Sequence, residues 1–124
     1  MTHEQAQEFA VEWAAAWNRR DMEAVLAHYA DGAEFVSPKA QQFVGRSVLQ
    51  GKAELRHYWE TALKQISENQ FTLDSVFLGP TEREVAVLYI SRLNGRANRA
   101  MEIMRFNEGG KIVRGEAMYG VAVE

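Results

Sequence analysis

Glu102 is the residue of this sequence best suited to chemistry. It lies between Ala100 and Met104 in a stretch with a two-residue period, and it is the lone carboxylate of the alternate set Asn98, Ala100, Glu102, Met104, Phe106. Small and apolar neighbours strip water from a carboxyl group, which disfavours the ionised form and raises the pKa. Near neutrality such a group keeps a proton that it can donate to a carbonyl or a leaving oxygen, as a general acid or hydrogen-bond donor. The competing reading is a Glu at a cavity mouth, solvated or paired with an arginine. Tyr89 is expected diagonally across from Glu102, within reach of a phenol-to-carboxyl bond, and Tyr119 on the same face. The plainer reading of both is a core tyrosine with its hydroxyl near the surface.

Ser37, just before Pro38, could bind a ligand or a water, or bond only to nearby backbone. No G-x-S-x-G elbow accompanies it, which excludes the usual serine nucleophile. Trp13, Trp17, Tyr58 and Trp59 supply an aromatic wall. The indole N–H groups of Trp13 and Trp59 need partners when buried, and a ligand, Tyr29 or a backbone carbonyl would serve. Their bulk leaves space for a small flat molecule rather than a steroid. His3, His28 and His57 are too scattered for a metal site, and Gly109-Gly110 reads as a hairpin turn, not a phosphate loop. No metal and no cofactor is expected.

Composition bounds the setting of these residues. With 124 residues, 47% of them apolar and 25% charged, the chain reads as a single globular domain over 1–124. It has no cysteine, so disulfides, thiolate zinc sites and cysteine nucleophiles are excluded. A net charge of −3 argues against nucleic acid or an anionic membrane as partner. No apolar run approaches the roughly 20 residues of a membrane span. The polar, acidic N-terminus does not read as a signal peptide, so a cytoplasmic location is expected.

The elements that must position the site follow from periodicity. Residues 3–19 predict a helix with Ala6, Phe9, Ala10, Trp13 and Trp17 on one stripe. Asp21 caps a second, shorter helix that carries Met22, Val25, Leu26 and Tyr29 inward and ends at Asp31-Gly32. A short strand over 33–37 stops at Pro38. Residues 38–51 read as an irregular loop, apolar enough (Phe43, Val44, Val48, Leu49) to fold over something. A third helix covers 51–66. The period then changes to two, and strands are expected at 70–78, 84–93, 97–106 and 111–123, with Asn94-Gly95 as a two-residue hairpin turn. That turn sets Leu93 opposite Arg96 and Val87 opposite Glu102. A loop over Asn107 to Gly110 sets Glu102 opposite Gly115, which would leave space above the sheet.

One face of this sheet then holds Val85, Val87, Tyr89, Ala100, Glu102, Met104 and Tyr119, and suits a concave surface closed by helices. The other mixes Leu88, Ile90, Met101, Ile103, Ile112 and Met118 with Arg92, Arg99, Arg105, Arg114 and Glu116. That mixture suits the interface of a symmetric homodimer, or cover by a chain terminus. The layout is α+β.

Trp13-Ala-Ala-Ala-Trp17-Asn18, Asp21, Tyr29-Ala-Asp31 and Phe35-Val-Ser-Pro38 resemble the opening of the nuclear transport factor 2-like superfamily, nearest its SnoaL-like and ketosteroid-isomerase-like branches. Gly51 through Tyr58-Trp59 resembles its third helix, and Met104-Arg-Phe106-Asn with Gly110-Lys-Ile112 its final hairpin. The resemblance implies a cone-shaped roll: a curved, mostly antiparallel sheet wrapped by three N-terminal helices around an apolar cavity, usually in a homodimer. The superfamily spans isomerases, dehydratases, epoxide hydrolases, cyclases and binding modules, so fold alone selects no function.

The steroid isomerases imply a finer comparison. Their general-base aspartate falls on Ser37, which has no carboxylate. Their oxyanion-hole tyrosine falls on Trp13, its supporting tyrosines on Tyr29 and Trp59, and their acidic donor on Glu102. Ketosteroid isomerisation is therefore not expected. The expectation is binding of a small apolar, carbonyl-containing or aromatic molecule, with a SnoaL-like isomerase, dehydratase or cyclase activity built on Glu102 and Tyr89. Trp13, Trp17, Tyr29, Ser37, Phe43, Tyr58, Trp59, Met104 and Tyr119 would line its site. The alternative is a non-catalytic dimeric binding or adaptor module with a filled cavity.

Overall fold

Thr2 opens the first helix with a reciprocal cap: its hydroxyl accepts from the Gln5 N–H, and the Gln5 side chain accepts from the Thr2 N–H. The computed structural model describes residues 1–123. Helix α1 (His3–Asn18) buries Ala6, Ala10, Trp13 and Trp17 along the expected stripe. Asp21 caps α2 (Met22–Leu26) through the Ala24 N–H. This second helix is shorter than expected. Strand β1 (Tyr29–Val36) begins at Tyr29, which pairs with Ile112 of the parallel β6 (Ile112–Ala122), and passes through an irregularity that includes Asp31-Gly32 before pairing resumes at Glu34 with Arg114.

Residues 38–51 are not an irregular loop. Ser37 caps a short helix, α3 (Pro38–Val44), with Pro38 in its first turn and Gly45 in the left-handed conformation after it. Strand β2 (Val48–Gln50) then pairs with β1, and α4 (Lys52–Gln65) follows. Four helices, not three, therefore surround the sheet. Arg20 reaches across from the end of α1 and donates to the Leu63 and Ile66 carbonyls, satisfying the C-terminus of α4.

Strands β3 (Asn69–Leu78), β4 (Glu84–Leu93) and β5 (Arg96–Phe106) complete a six-stranded curved sheet ordered β2-β1-β6-β5-β4-β3, the cone of the α+β fold expected from sequence. Asn94 and Gly95 both have positive φ, the signature of a two-residue type I′ turn, and Leu93 pairs with Arg96 and Val87 with Glu102 as predicted. The β5–β6 hairpin departs from expectation. A loop one residue longer than expected sets Phe106 opposite Ile112, and an irregularity between Arg105 and Phe106 adds one residue more, setting Glu102 opposite Ala117, while Gly115 faces Met104. The shift is two residues through most of the hairpin, so the alternation of faces survives. Beyond the irregularity it does not: Ile112 is fully buried rather than on the outer face.

The core lies between the helices and the concave face of the sheet, where Val85, Val87, Tyr89, Met104 and Ile112 are at most 1% exposed. Among the described residues no helix is long and apolar enough to cross a membrane.

Candidate functional site

The middle of β5 carries Glu102 into the concave side of the sheet. Its register partners are Val87 on β4 and Ala117 on β6, both too short to cover it. The residue is 6% exposed, and its carboxyl group lines an interior cavity of about 50 Å³. One water needs roughly 10–15 Å³ by the same measure, so the space holds several waters or a few atoms of a ligand. Trp17 of α1, Phe35 of β1, and Tyr58 and Trp59 of α4 enclose it from one side. Phe71, Tyr89, Glu102 and Tyr119 form the sheet side. Outward, the cavity runs into a mouth rimmed by Lys39, Phe43, Ile66 and Leu93, with Gln42, Asn94 and Arg96 further out. The Asn94 side chain holds this rim together: its Oδ1 accepts from the Ser67 N–H and hydroxyl and from the Glu68 N–H.

Burial alone pushes the Glu102 pKa up to about 8. Among the described residues no side chain hydrogen-bonds its carboxyl, and the anticipated bond from Tyr89 is not made; Tyr89 sits opposite Ala100 in the ladder. Burial also raises Tyr89, with the Glu102 charge adding to it, and raises Tyr119, with Tyr58 and Glu102 adding. Tyr58 is pushed up to about 12 by burial, partly offset by its hydrogen bond with Ser37. All three phenols therefore stay protonated at neutral pH. Among the described residues the wall presents three phenol hydroxyls, a carboxyl group that is protonated below about pH 8, the Lys39 ammonium and the side chains of Asn69 and Ser91. Such an arrangement can polarise or protonate an oxygen.

Seven of the residues singled out from sequence meet on this cavity: Trp17, Phe43, Tyr58, Trp59, Tyr89, Glu102 and Tyr119. Four do not. Trp13 is fully buried between Phe71 (ring centroids 5.5 Å, stacked) and Tyr89 (5.2 Å, edge-on) and belongs to the core. Met104 is fully buried opposite Gly115. Tyr29 packs against Trp59 at 5.2 Å, and its hydroxyl is buried with no partner among the described residues. Ser37 is 0% exposed; its Oγ accepts from the Lys39 N–H at 3.2 Å and lies 3.3 Å from the Tyr58 hydroxyl, so it braces the wall from behind.

Lys39, Phe35 and Phe71 were missed. The Ser37-Pro38 pair signals a helix start that would have placed Lys39 on its first turn. Phe35 and Phe71 alternate correctly within their strands, but only the sheet order brings them to this cavity. Among the described residues no group of three histidines or acids could hold a metal ion.

A curved sheet wrapped by helices around an interior cavity defines the class to which the comparisons also lead. The model of the SnoaL-like domain family matches residues 10–115, and the chain belongs to that family. It is similar to a SnoaL-like protein of unknown function from Burkholderia thailandensis, with 36% identity over 98% of this chain and 99% of that one and a TM-score of 0.85.

Two further structures share the fold. The epoxide hydrolase/cyclase-like enzyme SalBIII, which acts in pyran ring formation in polyether salinomycin, is 21% identical over 98% of this chain and 95% of its own, with a TM-score of 0.76. TerC, co-crystallised with polyporic acid, is 15% identical over 92% and 90%, with a TM-score of 0.77. No curated protein matches the chain at a significant level.

Proposed function

We propose that the chain binds a small, mainly apolar molecule in its interior cavity and acts on it as a SnoaL-like isomerase, dehydratase or cyclase, with protonated Glu102 donating to a carbonyl or leaving oxygen. One observation carries this reading: Glu102, 6% exposed and without a side-chain hydrogen bond among the described residues, lines the cavity. A native structure rarely leaves such a group unpaired without a use for it. Tyr89, Tyr119 and Tyr58 would orient the oxygen, and Trp17 and Trp59 would pack the body of the molecule.

Glu102 is the only carboxylate on the cavity wall among the described residues, and Ser37 cannot act as a base in place of the steroid isomerases' aspartate. One acid therefore has to serve twice. It gives its proton to the oxygen whose bond to carbon breaks, and as carboxylate it takes back the proton lost by the attacking hydroxyl or the adjacent carbon. Intramolecular ring closure and dehydration fit this economy.

The test uses acetophenone as a neutral carbonyl probe, followed by quenching of Trp17 and Trp59 fluorescence. The wild type is expected to bind below pH 8 and lose affinity as pH rises through 8. Glu102→Gln should keep binding at high pH, and Glu102→Ala should bind weakly throughout. Identical titrations for all three proteins reject the role.

The second reading, a non-catalytic dimeric binding or adaptor module, draws on the small cavity and its single acid. Both readings include a cytoplasmic homodimer formed through the outer sheet face. Leu88, Met101, Ile103 and Met118 form its apolar part, with Met118 43% exposed. Arg99, Arg105 and Arg114 are already paired with Asp74, Glu84, Glu34 and Glu116 of the same chain, which lowers the cost of burying them.

A further inference from the structure

Among the described residues the cavity wall carries one acid, Glu102, and one base, Lys39. Among the described residues it is the one half-buried lysine or arginine whose charged end has neither an ion pair nor a hydrogen bond. Lys52, Arg56, Arg99 and Arg114, equally half-buried, all have carboxylate partners. Burial at this position lowers the Lys39 pKa, and among the described residues no carboxylate offsets it. It is not loose: its Nζ stands 4.2 Å over the centre of the Tyr119 ring, which fixes it at the boundary between cavity and mouth.

The surroundings reinforce a positive mouth. Among the described residues the outer rim adds Arg96, which has no ion pair, and no acid lines the mouth. The nearest acid of the rim segment, Glu68, accepts from the Gly95 N–H. Lys39 lines both the cavity and its mouth, whereas Glu102 lines only the cavity, so the cation stands outward of the acid.

Resting on the reading above, and narrowing its ligand class, we propose that the molecule bound here is an amphipathic organic carboxylate. Its anionic end sits on Lys39 at the mouth, its aromatic or alkyl body lies between Phe43, Trp59 and Tyr119, and its carbonyl or hydroxyl oxygen reaches Glu102. The carboxylate supplies the counter-ion that the fold withholds from Lys39. The neutral acid inside accepts the uncharged end without repelling the charged one.

Calorimetric titration with 4-acetylbenzoate and its neutral isostere 4-acetylbenzamide at pH 7 tests this. A charge-assisted bond at a half-buried site predicts that the wild type binds the carboxylate about tenfold more tightly than the amide. Lys39→Met is expected to abolish that preference, bringing the carboxylate to the affinity of the amide, and Lys39→Arg to retain most of it; Lys39→Gln serves if the Met variant loses its far-ultraviolet circular dichroism. Equal affinities for the two probes in the wild type, or a preference that survives Lys39→Met and Lys39→Gln, overturn the proposal. If both probes bind equally and Glu102→Ala weakens both, the carbonyl-binding role of Glu102 stands without the anion. If neither probe binds the wild type at millimolar concentration, both readings fall.

Discussion

Phe35 and Gly115 are register partners across the parallel β1–β6 pair, and the Phe35 ring lies directly over the glycine. A Cβ built on Gly115 would stand 3.0 Å from Phe35 Cδ1, 3.3 Å from Cε1 and 3.7 Å from the Tyr29 hydroxyl. The space expected above Gly115 is thus filled by an aromatic ring that itself becomes cavity wall. Gly115→Ala must push that ring aside. The expected cost is about 1–3 kcal/mol in urea unfolding, with weakened probe binding because the displaced ring intrudes on the cavity. An unchanged midpoint would show that the ring moves freely.

Glu102 links stability to pH. Its pKa is about 8 in the folded chain against the ordinary 4.5, so between these values the folded state binds the proton that the unfolded state has lost. Stability from this group is full below about pH 4.5, declines as pH rises and levels off above 8. The total is roughly 5 kcal/mol, at 1.36 kcal/mol per pKa unit. Glu102→Gln should flatten this dependence and exceed the wild type in stability at pH 9, as denaturant titrations at several pH values would reveal. A wild-type profile that rises from pH 5 to 8 contradicts the assignment.

Tyr29 buries a hydroxyl with no partner among the described residues. Removing an unsatisfied buried group loses no hydrogen bond and relieves its desolvation. Tyr29→Phe should therefore leave stability unchanged or raise it by up to about 1 kcal/mol. A loss of comparable size, seen by thermal or chemical denaturation, would mean that the hydroxyl is bonded in solution.

Ser37 serves α3 and Tyr58 together, as N-cap of the one and neighbour of the other. Ser37→Ala is expected to cost roughly 1–2 kcal/mol, since it removes a cap and leaves the Tyr58 hydroxyl without its contact. Hydrogen exchange should accelerate across residues 38–44, with β4 and β5 unaffected. Uniform protection would remove the bracing role given to this serine.

Met118 stands exposed on the outer face beside Leu88 and Met101. If that face joins two copies, Met118→Glu buries an unpaired charge in the interface. Light scattering should then show the mass halved relative to the wild type, with the circular dichroism spectrum retained. A wild-type chain that is already monomeric ends the dimer proposal.

Local chemistry made much of this molecule legible. The helical stripe through Ala6, Ala10, Trp13 and Trp17, the cap at Asp21, the Asn94-Gly95 turn and hence the pairing of Val87 with Glu102 all follow from interactions a few residues apart. Because strand side chains alternate strictly, that one turn sufficed to put Glu102 and Tyr89 on the same face. Tertiary structure decided the rest. Tyr29 became the start of a strand because Ile112 of β6 supplied a distant partner. The longer β5–β6 loop and the irregularity between Arg105 and Phe106 together moved Gly115 away from Glu102 and took Ile112 into the core. Trp13 and Trp17 share one stripe, yet only the angle at which α1 meets the sheet gave the first to the core and the second to the cavity. Likewise no spacing rule announces that Lys39, behind a proline in an apparently irregular segment, would settle over Tyr119. Those outcomes depend on contacts between residues far apart in the chain, and only the assembled packing sets them.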